Sequence, residues 1–188
     1  DFHKQLVEGF DATFRSGELL KTEKVKLIDF DHTENNDFFV VNQFTIIEKE
    51  QRRPDLILFV NGIPLVVVEL KSASDENVGI QDAYNQIQTY KDDVKTLFVY
   101  NAFCILSDGI NAKVGTISSN EERFMNWRTI DGEKIESLDV PQYEVMIRGM
   151  LNKTTLLDII KNFMLYHESE EDIIDNRGYK VGANKSLV

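Results

Sequence analysis

Two uninterrupted apolar runs joined by an Asn-Gly pair constrain the fold of this chain more than any other feature. Residues 56–60 read LILFV and residues 65–68 read LVVV, with NGIP at 61–64 between them. An Asn-Gly pair between such runs is a strong signal for a β-hairpin. Because each run is apolar at every position, both faces of each strand should be covered. The sequence therefore predicts a central sheet with helices on both sides.

The remaining segments extend this prediction to an α/β fold with a mixed central sheet. Apolar residues recur at intervals of three and four from Ile80 to Val94, which indicates an amphipathic helix over residues 78–93. Strands are predicted at residues 25–30, 37–47, 96–100, 102–106 and 112–117, and further helices at 2–14, 121–127, 142–151 and 154–166. The last three of these helices would follow the sheet and form a C-terminal helical group.

Composition narrows the class of protein. A net charge of −11 argues against a protein that coats DNA with a basic surface, but not against an enzyme that touches DNA at one spot. A single Cys excludes a disulfide framework and a Cys-based metal cluster. No apolar run has the roughly 18–20 residues needed to span a bilayer. The first residues lack an initiator Met and a signal-peptide pattern, so we expect the chain to be part of a longer protein.

We expect three consecutive segments along the chain. Residues 1–118 would form the α/β core, residues 119–166 a helical extension, and residues 167–188 an acidic tail. In that tail, five acidic residues follow one another without a Lys or Arg between them, namely Glu168, Glu170, Glu171, Asp172 and Asp175. Such a run is typical of a solvated segment.

The hairpin would bring two carboxylates and one amine to the same place. With residues 61–63 in the loop, Asp55 lies directly opposite Glu69, and the two side chains project from the same face. Lys71, two residues after Glu69, shares that face. A two-residue loop would instead place Asp55 opposite Val68, so the prediction depends on the register of the hairpin.

Such a cluster favours metal-dependent chemistry on phosphate. Two close carboxylates repel each other unless a proton or a cation intervenes, and oxygen ligands suit Mg²⁺. A bound divalent cation can activate water and stabilise charge on a phosphodiester, while Lys71 could orient or deprotonate that water. The structural alternative is that Asp55 ends a loop, and that Glu69 and Lys71 form an ion pair at a sheet edge.

The helix after this hairpin carries a second group of polar residues. Gln86 and Tyr90 are four residues apart and therefore share a helix face. An amide can contact a phosphate or a base, and a Tyr can stack or form a hydrogen bond. Alternatively, the pair is an ordinary helix surface with a half-buried Tyr.

Two adjacent arginines precede the first acidic residue. Arg52 and Arg53 could contact phosphates beside the site, or they could pair with Glu48 and Glu50. Both interpretations are open from the sequence.

The order of these motifs resembles a known superfamily. Three segments, PD at 54–55, ELK at 69–71 and QIQTY at 86–90, look like the motifs of the PD-(D/E)xK nucleases in their RecB-like branch. The surrounding segments, from about residue 6 to 166, resemble the N-terminal nuclease domain of type I restriction endonuclease R (HsdR) subunits. They are NDFFVVNQFTI, RRPDLILFVNGIPLVVVELKS, AYNQIQTY, LFVYNAFCILSDGINAKVGTI and ERFMNWRTIDG.

The resemblance implies a restriction-endonuclease-like core that hydrolyses double-stranded DNA with Mg²⁺, or with Mn²⁺ as a substitute. Asp55, Glu69 and the backbone carbonyl of Leu70 would bind the metal, and Lys71 would be the catalytic lysine. Gln86 and Tyr90 would position DNA. The family often has a further acidic residue from its first helix near the metal, and no residue here is assigned to that role.

The resemblance also implies a larger cytoplasmic assembly. Such R subunits carry an ATP-driven translocase and work with modification and specificity subunits on unmodified DNA. This chain has no G-x-x-x-x-G-K-[ST] motif, so ATP is expected to bind only elsewhere in a full-length subunit. One alternative is a nuclease fold that no longer cuts and serves as a DNA-binding or subunit-docking module. Another is a RecB-like repair nuclease, which the match around NGIPLVVVELK and SDG disfavours.

Overall fold

The computed structural model describes residues 2–72 and 79–168, together with short strand segments at 173–174, 180–181 and 184–187. The strands are β1 (Phe10–Ser16), β2 (Leu19–Val25), β3 (Phe38–Asn42), β4 (Ile46–Ile47), β5 (Gln51–Arg52), β6 (Leu56–Val60), β7 (Ile63–Leu70), β8 (Phe103–Ser107), β9 (Ala112–Gly115), β10 (Leu165–Glu168), β11 (Ile173–Ile174), β12 (Lys180–Val181) and β13 (Asn184–Leu187). The helices are α1 (Phe2–Glu8), α2 (Ile80–Asp93), α3 (Gln142–Arg148) and α4 (Lys153–Asp158), with 3-10 turns at Thr33–Asn35, Lys95–Phe98 and Glu121–Arg123 and a π-helical turn at Ile159–Phe163.

The central sheet is mixed, as predicted. Within the described residues it has five strands in the order β3-β6-β7-β8-β9. Strands β7 and β8 run parallel and α2 connects them, because two parallel neighbours need a crossover. The other three neighbouring pairs are antiparallel. This architecture is consistent with a restriction-endonuclease-like core that has C-terminal helices attached.

Strand β7 is covered on both faces, which explains its uninterrupted apolar run. Val67 packs with Ile87 of α2 in one buried cluster. Val66 and Val68 point the other way, into a second cluster that contains Met146 of α3 and residues of α4. The alternating side chains of a strand therefore meet helices on both sides of the sheet.

The loop of the central hairpin has two residues, so the three-residue loop predicted from the sequence is wrong. Val60 pairs with Ile63, which leaves Asn61 and Gly62 in the turn. Their φ angles are +50° and +81°, and a type I′ turn requires positive φ at both positions. An Asn-Gly pair tolerates these angles with little strain, whereas an Ile in the loop would not.

A β-bulge nevertheless restores the predicted register at the open end of the hairpin. Where β6 advances by one residue, β7 advances by two, so Leu65 is an extra residue. Beyond the bulge Leu56 pairs with Val68. Continued by one residue beyond the start of β6, this register places Asp55 opposite Glu69, as expected from the longer loop. Two errors of one residue, in the loop and in the ladder, cancel.

Three predicted elements differ from the structure near the N-terminus. The helix predicted over 2–14 ends at Glu8, because Gly9 adopts a φ of +76° and its N–H bonds to the Gln5 carbonyl at 2.9 Å. The following residues form the β1–β2 hairpin, so the strand predicted at 25–30 is wrong. The strand predicted at 37–47 is interrupted at Gln43, whose φ is +53°.

Other predicted elements change type or length because tertiary packing overrides local pattern. The strand predicted at 96–100 is the 3-10 turn Lys95–Phe98, which buries Leu97 and Phe98 against α2. The helix predicted at 121–127 is wrong beyond the 3-10 turn Glu121–Arg123, since Met125 forms a β-bridge with Val114. The last predicted helix, 154–166, ends with the π-helical turn at 163.

The acidic tail lies partly outside the described residues. Its Glu170, Glu171, Asp172 and Asp175 are among the residues not described. The described segments form two antiparallel pairs, β10 with β13 and β11 with β12. Among all the residues that the structure describes, no helix is long and apolar enough to cross a membrane.

Asn61 fastens the hairpin turn to the preceding loop. Its side-chain oxygen accepts the N–H of Asp37 at 2.8 Å, and its amide group donates to the Leu27 carbonyl and to Asn36 Oδ1, both at 2.9 Å. These contacts fix one end of the strand pair whose other end carries the acidic residues.

We expect Asn61→Gly to lower the free energy of unfolding by about 1–3 kcal/mol, because the side-chain hydrogen bonds are lost. Asn61→Ala should lower it by about a further 1 kcal/mol, since Ala also strains at positive φ. Urea denaturation of the three proteins checks this ranking. Equal stability of the Ala and Gly variants would contradict the role of the turn angle.

Candidate active site

Asp55, Glu69 and Lys71 lie together at the open end of the β6–β7 hairpin. The Nζ atom of Lys71 is 2.8 Å from Oε1 of Glu69. The Oδ2 atom of Asp55 accepts the backbone N–H of Leu70 at 2.9 Å, so it sits beside the end of β7. The structure thus brings together the three side chains that the sequence singled out, at the place where the bulged ladder delivers them.

Glu69 is the most constrained member of this group. It is only 3% exposed, and its Oε2 atom is buried without a hydrogen-bond partner among the described residues. Burial raises the pKa of Glu69, and the charge of Asp55 raises it further, while the ammonium of Lys71 and the hydroxyl of Tyr90 oppose these effects. A buried carboxylate oxygen with no partner is costly, so this atom marks a place where a cation would be stabilising.

Asp55 is held by groups from two other parts of the chain. Its Oδ1 atom accepts the side-chain amide of Gln43 at 2.7 Å, and its Oδ2 atom accepts the Leu70 N–H. Its backbone carbonyl accepts the N–H of Gln43 at 2.9 Å. Sequence reasoning missed Gln43, which lies 12 residues before Asp55. The available signal was the polar Asn42-Gln43 pair that interrupts an otherwise apolar run.

A contact with the neighbouring strand β8 fixes the backbone of Lys71. It follows the last residue of β7, and its N–H donates to the carbonyl of Ser107, at the end of β8, at 2.7 Å. Its side chain is 19% exposed. The ammonium is therefore anchored by Glu69 but still reachable from solvent.

A cavity lies next to this site. It has a volume of about 580 Å³ and lies on the other face of the sheet, where Val68, Leu70 and Met146 line it. Lys71 also lines this cavity, whereas Asp55 and Glu69 do not, so the cavity adjoins the site without containing the acidic pair. The acidic pair therefore lies at the end of the central strand β7, on the face opposite to this cavity.

Helix α2 delivers Tyr90 and Gln86 to the same region. The helix starts after Gly79, whose N–H donates to Oδ2 of Asp82 at 2.9 Å. Tyr90 is buried, and its pKa is raised by burial, by the negative charge of Glu69 and by the interaction of its hydroxyl with that carboxylate, while a hydrogen bond from Gln86 has the opposite effect. Because the ring is only 5% exposed, it is not available for stacking on a base.

The two arginines have different environments. Arg52 forms an ion pair with Asp93 at the end of α2, with Nη2 at 2.6 Å and Nε at 2.8 Å from Oδ2. This hydrogen bond lowers the pKa of Asp93, and Lys49 pairs with the same carboxylate at 3.2 Å. The suggested pairing of Arg52 with Glu48 or Glu50 is therefore wrong.

Arg53 points to solvent instead. It is exposed and makes no ion pair with the described part of the chain. Its guanidinium is free to meet a phosphate, whereas that of Arg52 already ties β5 to α2.

The donors of the site fit a hard divalent cation. The site offers two carboxylates, one with a buried unpaired oxygen, and the backbone carbonyl of Leu70 lies between Glu69 and Lys71 in the chain. No group of three or more His, Cys, Asp or Glu side chains is arranged to hold a metal within the described residues. On α1, Glu8 faces Lys4 at 4.0 Å and is not assigned to the metal.

Comparison with known proteins gives consistent matches along the chain. The endonuclease subunit of the type I restriction enzyme HindI from Haemophilus influenzae is 38% identical over 97% of this chain. A putative type I restriction enzyme endonuclease subunit, MjaIXP, from Methanocaldococcus jannaschii is 29% identical over 90% of it. The matched regions make up 17% and 18% of these two relatives, so the chain spans less than a fifth of their length.

The family match covers most of the α/β core. Residues 1–123 match the model of the family described as the type I restriction enzyme R protein N terminus. These residues include the hairpin, the acidic pair, Lys71 and all of α2. The chain therefore belongs to the family of type I restriction enzyme R protein N-terminal domains.

Proposed function

We propose that this chain is the nuclease domain of a type I restriction enzyme R subunit, and that it hydrolyses phosphodiester bonds of double-stranded DNA in the presence of Mg²⁺. The observation that carries the proposal is the buried, unpaired Oε2 of Glu69, next to the ammonium of Lys71 and the carboxylate of Asp55. If the Glu69–Lys71 pair were purely structural, we would expect both oxygens of the buried carboxylate to be satisfied, whereas only Oε1 is.

Each residue has a distinct role in this proposal. Asp55, Glu69 and the Leu70 carbonyl would hold Mg²⁺, or Mn²⁺ in its place, and the bound ion would activate water and stabilise charge on the phosphate. Lys71 supplies a positive charge 2.8 Å from Glu69, positioned to bind a phosphate oxygen and to orient the attacking water. Because Lys71 is anchored by Glu69, the lysine and the acidic pair are aligned before DNA arrives.

DNA contacts are proposed for the groups around this centre. The Tyr90 hydroxyl and the Gln86 amide would position the strand near the acidic pair. Arg53 would bind a phosphate, which suits its exposed side chain. Arg52 stays a predicted DNA contact, although its guanidinium is already paired with Asp93. The net charge of −11 limits such attraction to local contacts.

The wider context is also a proposal. The two relatives are named as endonuclease subunits of type I restriction enzymes, one of them putative. We propose that modification and specificity subunits direct the present chain to unmodified DNA in the cytoplasm. ATP would bind to a part of the R subunit outside this chain.

The proposal predicts that Asp55→Asn and Lys71→Ala abolish DNA cleavage by the assembled restriction complex, with a loss of at least about 100-fold. Assembly and ATP-driven movement along DNA should continue, because neither residue supports them. Cleavage of plasmid DNA, measured with ATP hydrolysis in the same reaction, checks both points. Asp11→Asn, on the exposed strand β1, is the matched control and should cut normally.

Two outcomes would contradict this proposal. Normal cutting by both site variants would remove the assigned roles. A wild-type complex that moves along unmodified DNA with Mg²⁺ and never cuts it would favour the alternative of a non-cleaving docking module.

We also expect Gln86→Ala and Tyr90→Phe to slow cleavage by about 10-fold while Mn²⁺ still binds, because both groups act around the acidic pair rather than as ligands. Arg53→Ala should reduce the salt dependence of DNA binding by about one phosphate contact. Cleavage rates and DNA affinities at several salt concentrations measure these effects. Unchanged rates for the two α2 variants would return that helix face to a structural role.

A further inference from the structure

We infer that Gln43 is a positioning residue for Asp55, which orients this carboxylate for a divalent cation. The inference rests on the proposed function and adds a residue to the site. Gln43 reaches Asp55 with two donors, since its backbone N–H binds the Asp55 carbonyl at 2.9 Å and its side-chain amide binds Oδ1 at 2.7 Å. One residue thus fixes both the backbone and the side chain of the first acidic residue.

The backbone of Gln43 indicates that this contact is imposed by the fold. Its φ of +53° lies in the left-handed region, which L-residues other than Gly, Asn and Asp rarely adopt. The conformation interrupts the extended chain between β3 and β4, and so turns the Gln43 N–H and amide towards Asp55. Strain of this kind persists where surrounding contacts hold it, and it clusters at functional sites.

The second oxygen of Asp55 is held independently. Oδ2 accepts the N–H of Leu70, the residue between Glu69 and Lys71. With Oδ1 bound by Gln43, both oxygens have a fixed donor, and the plane of the carboxylate is set. Each carboxylate oxygen has a second lone pair, so these bonds leave acceptor capacity for a cation.

The chemistry of the donor matters as much as its position. An amide is neutral, so it orients Asp55 without cancelling the negative charge that attracts a cation. A Lys or Arg at this position would also donate a hydrogen bond, but it would compete electrostatically with the metal. In the site itself, Glu69 already carries one ammonium partner, Lys71. A second cation on Asp55 would leave little net negative charge.

The test is calorimetric titration of Mn²⁺ into the chain and its variants. Gln43→Gly removes the amide but accepts a positive φ without strain, so the relief of strain should offset part of the loss of the hydrogen bond to Oδ1, and the free energy of unfolding without metal should change by less than in Asn61→Gly. The affinity of Gln43→Gly for Mn²⁺ should fall about 10-fold, as for other residues that orient a ligand. Gln43→Lys should weaken binding more than Gln43→Gly, because it adds charge.

Two reference variants make the result unambiguous. Asn42→Ala removes the neighbouring amide of β3 and should leave Mn²⁺ affinity unchanged. Asp55→Asn should remove binding and so locate the ion. If wild-type binding is lost in Asp55→Asn but Gln43→Gly binds as tightly as wild type, the positioning role is overturned and the proposed function stands. If wild type binds no Mn²⁺ at millimolar concentrations, both are overturned.

Discussion

The candidate site depends on the burial of one carboxylate, Glu69, beside a second one, Asp55. Removing an ion from water costs several kcal/mol even after relaxation, so Glu69 needs compensation at the end of β7. The ammonium of Lys71 satisfies one of its oxygens and leaves the other unpaired. Asp55 adds repulsion that a cation would convert into attraction. The groups that fix Asp55 and Lys71 serve to hold this unfavourable arrangement in place.

The sheet supplies the rigidity for this arrangement. Strand β7 lies between β6 and β8 with helices on both faces, so a residue at its end cannot drift away from its neighbours. The bulge at Leu65 sets which side chains reach the open end of the hairpin. A one-residue slip would move every side chain of β7 to the opposite face. The placement of Asp55 opposite Glu69 therefore depends on the bulge at Leu65 as well as on the positions of these two residues in the sequence.

Sequence patterns predicted what local forces determine. The apolar runs around Asn61 and the spacing along α2 indicated buried strands and an amphipathic helix, because burial on two faces or on one leaves a periodic trace. Patterns failed where distant contacts decide. The bulge at Leu65 and the pairing of Arg52 with Asp93 have no local signature, and the break in the apolar run at Gln43 does not reveal that its partner is Asp55. The acidic pair was predicted correctly only because the predicted loop was one residue too long and the bulge, which was not predicted, shifts the register by the same amount.

The central claim is that Asp55 and Glu69 share one divalent cation. Crystals soaked with Mn²⁺ test it most directly, since anomalous scattering locates the ion without assumptions about ligands. The account predicts one strong peak in contact with a carboxylate oxygen of Asp55 and with the Oε2 atom of Glu69. A strong peak elsewhere with this place empty, or a hydrogen-bonded water on Oε2 at high Mn²⁺ concentration, would contradict it.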